Sequence, residues 1–429
     1  MRATVSGLRF LLILVSFNLV FPEDLPPEVL RTAQAMNVNR DLLKQSSRYT
    51  CLETITRGDI EGRKRNLKKR DVVQVDVGVG SGREIYSWPG ASQFSSEDIG
   101  ALIGHGLVVD GLFQTFAESI FTSGHSLVKP AGEQLIHGRP AFHFTYAASM
   151  LEEQWNINWL GSRGTVGYRG EFWVDKISFA LVRLVITATD IPPSLPLQGL
   201  TIAIDYQPPT EEKALIPESA LFTAVELSGK TSYDSFVFSH CHVFGAESRV
   251  ENSAEELGQV VQNYEGNREI LPAGLTIPVT LATTITAASA RIGDPIFGYL
   301  DKAVRISSEL TAPRGAELKG RIREFDKLED VPNSYTVGLE FDELDWPGHS
   351  FSFFADVVSM EPVSGLASMV ATGNTRTHNM GGAGLLTSST TETIWASAIP
   401  GVATFLYQNS AVLSKGFRMV WRTKKAARK

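Results

Sequence analysis

The stretch from Tyr168 to Ile186, YRGEFWVDKISFALVRLVI, decides how the rest of the chain is read. It is the centre of two apolar runs, GYRGEFWVD and ALVRLVITATD, rich in the aromatic and β-branched residues that suit a pleated surface and too short for buried helices. The spacing predicts a strand, a turn and a second strand. Upstream, PAFHFTYA places Phe142, Phe144 and Tyr146 on one face, and EQWNINW groups Trp155, Ile157 and Trp159. Downstream, LTIAIDY, SALFTAVEL and DSFVFSHCHVF continue the pattern. Strands in series with short connections pair antiparallel, so one large curved sheet is expected.

The run PEVLRTAQAMNVNRDLLKQ has helical spacing at Val29, Leu30, Ala33, Met36 and Leu42, and predicts a helix or two. YTCLETITR, DVVQVDVGV and REIYSW then read as strands. Gly78, Gly80 and Gly82 mark a hairpin turn rather than a phosphate loop, because no helix follows for a phosphate to cap. Two short helices are expected at EDIGALIGHG, capped by Ser95 or Ser96 with Glu97 and Asp98 at its positive end, and at DGLFQTFAESIF.

The second half carries turn signals at Pro272 to Gly274, Gly293 to Pro295, Pro313 to Gly315 and Pro347 to Gly348, which separate short apolar segments. A small β-barrel or sandwich is predicted. GVATFLYQ and GFRMVWRT read as its closing hairpin. The resulting fold class is mainly β (α+β), in five parts: an export segment at 1–22, a curved antiparallel β domain at 27–250, a linker at 251–268, the small β-barrel domain at 269–423 with a mobile loop at 365–393, and a basic tail at 424–429.

Composition fits folded domains: 43% hydrophobic and 20% charged residues in 429, with a formal charge of −7. That balance disfavours wholesale disorder and a nucleic-acid partner, which requires a concentrated basic surface. Arg2 and Arg9 precede a twelve-residue apolar run, Phe10 to Phe21, broken by Ser16 and Asn18, the outline of a signal peptide. The run is short of the roughly twenty residues of a spanning helix, and the reading stays open between a cleaved leader and an anchor giving membrane association through an uncleaved N-terminus. The expected location is bacterial and exported: periplasm, outer membrane surface or extracellular. Cys51 and Cys241, the only cysteines, lie in strand-like runs. In an oxidising compartment they would tie the first strand of a domain to its last, contributing about 4 to 5 kcal/mol through loop closure; two separate buried thiols are the alternative.

The Tyr168 to Ile186 run, with its Trp-Val-Asp step ahead of an apolar strand, resembles the periplasmic lipoprotein-carrier superfamily of the LolA and RseB type. That resemblance implies, across roughly Pro27 to Val250, a concave apolar face able to hold an acyl chain or a partner polypeptide. LPAGLTIPVTL followed by APRGAELKGRI resembles the small β-barrel of TrbI-type conjugation proteins, and the whole chain resembles exported bacterial envelope proteins.

Candidate chemistry has competing structural readings. His240 and His242 flank Cys241 and would share a strand face with Phe236, Phe238 and Phe244; they are weak candidates for a metal, and none is expected. Ser123, His125 and Ser126 in TSGHSLV read as a strand entrance, and Asp342, Glu343 and Asp345 in FDELDW as a solvated turn. The basic run RKRNLKKR, Arg63 to Arg70, reads as a solvated hairpin tip. No catalytic residue and no cofactor are assigned. The aromatic crowd offers the better site: Phe142, Phe144, Tyr146, Trp155, Trp159 and Trp173, with Phe172, exceed what one thin sheet face needs, as core against the helices or as the lining of a groove. The expected function is a non-enzymatic exported envelope protein binding a lipid, another apolar ligand or a partner polypeptide, with envelope proteins as partners. A structural component of a secretion or surface assembly and a hydrolase of envelope polymers are the alternatives.

Overall fold

The computed structural model describes residues 26–45, 49–61, 66–80, 83–91, 94–95, 99–103, 115–122, 127–148, 155–159, 162–208, 215–243, 269–286, 288–327, 334–361, 366–367, 395–396, 401–408 and 412–425. The export segment, the linker, Arg63 to Arg65, Ser123, His125, Ser126, the tip of the basic tail and all of the 365–393 segment except 366–367 lie outside them.

The first helix is one continuous element, α1 (Pro27–Gln45). Pro27 suits its first position, where an amide proton would have no helical partner. Its buried side carries Ala35, Asn39, Leu42 and Leu43. Asn39 pins it down: the amide donates to the carbonyls of Ala35 (2.8 Å) and Phe179 (2.9 Å), and its oxygen accepts from Leu181 N (2.7 Å). Two shorter helices follow, α2 (Ile99–Ile103) and α3 (Thr115–Phe121).

Eleven strands build the first sheet: β1 (Tyr49–Glu61), β2 (Asn66–Gly80), β3 (Arg83–Ser87), β4 (Leu127–Ile136), β5 (Arg139–Ala148), β6 (Trp155–Trp159), β7 (Ser162–Asp175), β8 (Leu181–Thr189), β9 (Leu197–Tyr206), β10 (Pro217–Glu226) and β11 (Thr231–Val243). Their order is β3-β2-β1-β11-β10-β9-β8-β7-β5-β4, with β6 beside β7, and all pairs are antiparallel. The sheet is curled. The turn of the opening stretch forms as expected: Asp175 Oδ1 accepts from the amides of Ile177 and Ser178, both at 2.9 Å, a side-chain substitute for a backbone turn. The last strand of the series, β11, returns to pair with the first, and a Cys51–Cys241 disulfide joins them across 190 residues.

The side-chain period of two, combined with this register, lays rows of residues across the inner face. One row runs Val73, Ile55, Phe236, Ala220, Ile204, Leu184, Phe172, Phe144, entirely apolar. The row beside it runs Asp71, Arg57, Asp234, Phe222, Ile202, Ile186, Gly170, Tyr146. Gly170 is required there, since a Cβ would lie 1.8 Å from Val185 O and 2.8 Å from the Tyr146 hydroxyl.

The second sheet runs Glu269–Ile270, His349–Ser352, Ser334–Trp346, Glu317–Lys327, Pro295–Leu300, Thr276–Leu281, Arg418–Thr423, Ala355–Met360. Trp421 is its buried centre, with Phe341 (5.6 Å) and Phe353 (6.1 Å) packed edge-on. Two expectations are corrected here. The two segments read as a closing hairpin do not pair with each other: Ala403–Gln408 adds to Ser334–Trp346, and Arg418–Thr423 to Thr276–Leu281 and Ala355–Met360. Asp342, Glu343 and Asp345 are in a strand rather than a turn, with Asp342 paired to Arg321 (2.7 Å) and both Glu343 and Asp345 to Lys319. FDELDW has the charge of a turn, but the basic residues of the adjacent strand neutralise it.

The sheets meet through backbone hydrogen bonds. β3 covers β2 only from Asp76 to Gly80, and on the uncovered part Gln74 N donates to Ile292 O and Ile292 N to Val72 O, both at 2.8 Å. Gly293, at φ 99°, lies so close that a Cβ would be 2.3 Å from Gln74 O. Arg321 and Arg323 sit over the Trp88 ring at 5.6 and 5.1 Å. A sheet edge that would otherwise invite intermolecular pairing is thereby partly covered.

Candidate functional site

The inner face of the first sheet is treated differently at its two ends. Toward β5 and β7 the helices fill it. Phe116 of α3 meets Trp155 (5.3 Å) and Tyr168 (5.6 Å) edge-on, and Phe121 does the same to Phe172 (5.2 Å), which stacks on Phe144 (5.0 Å). Of the six aromatic candidates, Phe144, Tyr146, Trp155 and Trp159 are buried in the hydrophobic core. Phe142 is half-buried beside Phe179, under the Arg31 and Lys176 side chains. Trp173 has the opposite parity from Phe172 and projects to the other side of the sheet, stacked on His143 (4.7 Å) and donating to Gln134 (3.0 Å).

Toward β1 the face carries polar groups instead. Alternation along β1 buries Tyr49, Cys51, Glu53, Ile55 and Arg57 together. Arg57 is satisfied: Nε and Nη2 donate to the two oxygens of Asp71, each at 2.7 Å, the planar fork matching the carboxylate. Asp234, opposite Arg57 on β11, keeps a buried Oδ2 with no hydrogen-bond partner among the described residues. Burial chiefly, with Asp71 and Asp59 nearby, pushes its carboxyl up to about 7 against the pull of Arg57 and Arg70.

Four residues earlier no arginine answers. Tyr49 and Glu53 are each 1% exposed, and Tyr49 Oη and Glu53 Oε2 have no partner among the described residues. Burial raises the Glu53 carboxyl well above its ordinary range and the neighbouring Glu84 adds to this, which favours the protonated form. Burial likewise raises the Tyr49 and Tyr206 phenols, again with Glu84 contributing. Burial also raises the Tyr146 phenol well above its ordinary range, with Tyr168 and then Tyr206 adding to this. Leaving a buried polar atom unpaired costs about 1–3 kcal/mol, so the Tyr49 and Glu53 atoms together forfeit about 2–6 kcal/mol, a large share of the 5–15 kcal/mol of a typical domain. Trp159 Nε1 on β6 is a further orphan. The signal for these residues was present in YTCLETITR: Glu53 and Arg57 share the parity of Tyr49, Cys51 and Ile55, a charged residue on a buried face.

His240 and His242 are both exposed, away from the buried Phe236 and Phe238. A bulge is the reason: His240, at φ 51°, and Cys241 together oppose Cys51, which turns the histidines out of the expected face. Among the described residues no group of three His, Cys, Asp or Glu is arranged to hold a metal. In the basic hairpin, Lys68 pairs with Glu61 and Arg70 with Asp59, both at 3.1 Å. No described helix is long and apolar enough to cross a membrane.

No family model matches the chain, and no curated protein matches its sequence. Among solved structures, it is similar to an outer membrane lipoprotein-sorting protein domain from Vibrio parahaemolyticus (9% identity, TM-score 0.29, covering 53% of this chain and 97% of that one). It is also similar to a LolA superfamily protein from Nitrosomonas europaea (9%, 0.26, 52% and 98%) and to the MucA/MucB complex of Pseudomonas aeruginosa (13%, 0.19, 74% and 90%).

Proposed function

We propose that this chain is a non-enzymatic exported protein of the cell envelope that holds a lipid or another single apolar chain against the inner face of its first sheet. The observation that carries this reading is the pair of orphan atoms, Tyr49 Oη and Glu53 Oε2, beside an inner face that is apolar from Ile55 to Phe144 and carries the Asp71, Arg57 and Asp234 cluster in the next row. Sites for apolar ligands combine extensive hydrophobic lining with a few convergent polar groups that fix orientation. The rows from Ile55 to Phe144 would supply the lining, and Tyr49 and Glu53 the polar contact. Export is supported by the Cys51–Cys241 disulfide, a bond that persists in oxidising compartments. The second sheet, joined through Ile292 and Trp88, is the part we assign to docking on envelope proteins. The test is native mass spectrometry of the full chain extracted gently from its own envelope. A co-purifying lipid mass that organic solvent removes is the expected result. A bare polypeptide mass, together with no uptake of added apolar chains, would overturn the reading.

A further inference from the structure

We propose that the end of the first sheet where α1 begins is a membrane-contact surface, set against the headgroup layer of a lipid bilayer with Val29, Leu30, Leu135 and Ile177 as its apolar contacts. It is independent of the chain-binding reading of the inner face.

Four exposed apolar side chains converge at this end. Ile177, at the tip between β7 and β8, is 92% exposed, Leu135 near the end of β4 71%, and Val29 and Leu30 at the start of α1 48% and 41%. Polar contacts bring the three elements together. Arg31 of α1 and Lys176 beside Ile177 both pair with Glu133 of β4, and both lie over the Phe142 ring. Lys176 N donates to Pro140 O at 3.2 Å, and Pro140 is the register partner of Leu135. Ile177 is held outward by a fixed turn: Asp175 Oδ1 accepts from the amides of Ile177 and Ser178, and Phe179 N donates to Asp175 O, all at 2.9 Å. Every residue from Pro26 to Arg31 is exposed, and the buried side of α1 starts only at Ala35.

The apolar run Phe10 to Phe21 stops five residues short of Pro26, and five residues span at most about 18 Å when fully extended. A bilayer that receives that run therefore lies within reach of Val29. The contacts themselves are of the interfacial kind, separate aliphatic points beside cations on long stems. Those cations, Arg31, Arg139 and Lys176, are balanced by Glu28, Glu133 and Asp175, so apolar insertion rather than lipid charge carries the contact. Protein partners pack against continuous patches of about 800 Å² per side, whereas here charged groups lie between the apolar ones.

The test uses the full chain. Cys51 and Cys241 are its only cysteines and are bonded to each other, so a single introduced thiol takes a label selectively. Ile177→Cys and Leu227→Cys, each carrying an environment-sensitive fluorophore, are mixed with phosphatidylcholine vesicles whose acyl chains are brominated. Leu227 is 62% exposed on the hairpin between β10 and β11, at the opposite end of the sheet, and serves as the control. Both side chains are exposed, so neither substitution removes core packing. Quenching several-fold stronger at position 177 than at position 227, with emission moved to the blue, is the expected result. In the same vesicles Ile177→Asp should lower quenching of a label on Leu135→Cys several-fold. Equal quenching at positions 177 and 227, or none at 177, overturns the proposal. A blue shift at position 177 without vesicles assigns the patch to another part of this chain or to a second copy, and overturns it as well.

Discussion

Two carboxyl-bearing clusters share one strand face, four residues apart, and the sheet handles them in opposite ways. At Arg57, Asp71 and Asp234 a guanidinium is inserted between two acids on adjacent strands. At Tyr49 and Glu53 the polar groups are buried with no base to answer them among the described residues. Removing one partner from a buried ion pair is expensive because it strands the other charge, whereas a neutral buried acid is spared the charge penalty while still lacking a hydrogen-bond partner. The first cluster is thus what a sheet does to hold itself together. The second is where we propose that a partner comes from outside.

The largest effect should come from breaking the paired cluster. Arg57→Met leaves Asp71 and Asp234 buried together and should cost about 3–5 kcal/mol in urea unfolding; a cost under about 1 kcal/mol would deny the cluster its structural role. Replacing both Cys51 and Cys241 with Ser releases the 190-residue loop and should cost about 2–5 kcal/mol, read as a fall in melting temperature that a reductant reproduces in the wild type.

Asp234→Asn comes next, and its sign depends on pH. With the carboxyl moved from 3.8 up to about 7, the folded protein keeps a proton that the unfolded chain gives up above about pH 4. Stability therefore falls as pH rises through that window and levels off above it. The Asn variant should lack this fall and be more stable than wild type at pH 8, by about 2 to 4 kcal/mol; denaturation midpoints at pH 5 and pH 8 check it. Glu53→Gln should change unfolding free energy least, by about 1 kcal/mol or less at pH 7, because a neutral acid is replaced by a neutral amide. A large loss there would make Glu53 a structural residue like Arg57 and erase the contrast between the clusters.

Much of the fold was legible because its signals are local. The helix at PEVLRTAQAMNVNRDLLKQ has the bounds of α1. The four glycines of the second-half turn signals, Gly274, Gly293, Gly315 and Gly348, all take positive φ, between 83° and 99°. Pairing between distant segments was not legible: GVATFLYQ and GFRMVWRT each look like half of a hairpin, and nothing in either run says that its neighbour comes from elsewhere. Counting aromatics led to β5 and β6, where α3 covers the face, whereas the unanswered polar atoms lie on β1, whose parity was visible in YTCLETITR. The bulge at His240 shows why period-two reasoning failed locally, since one inserted residue reverses every face that follows it.

The most direct test of the central claim is photo-crosslinking with a decyl chain carrying a diazirine near its head group, followed by peptide mapping of the full, disulfide-intact protein. The account expects labelling to concentrate on the peptide spanning Tyr49 to Ile55 and to be displaced by unlabelled chain. Labelling confined to the second sheet or to the outer face around Trp173, with Tyr49 to Ile55 unmarked, would contradict it.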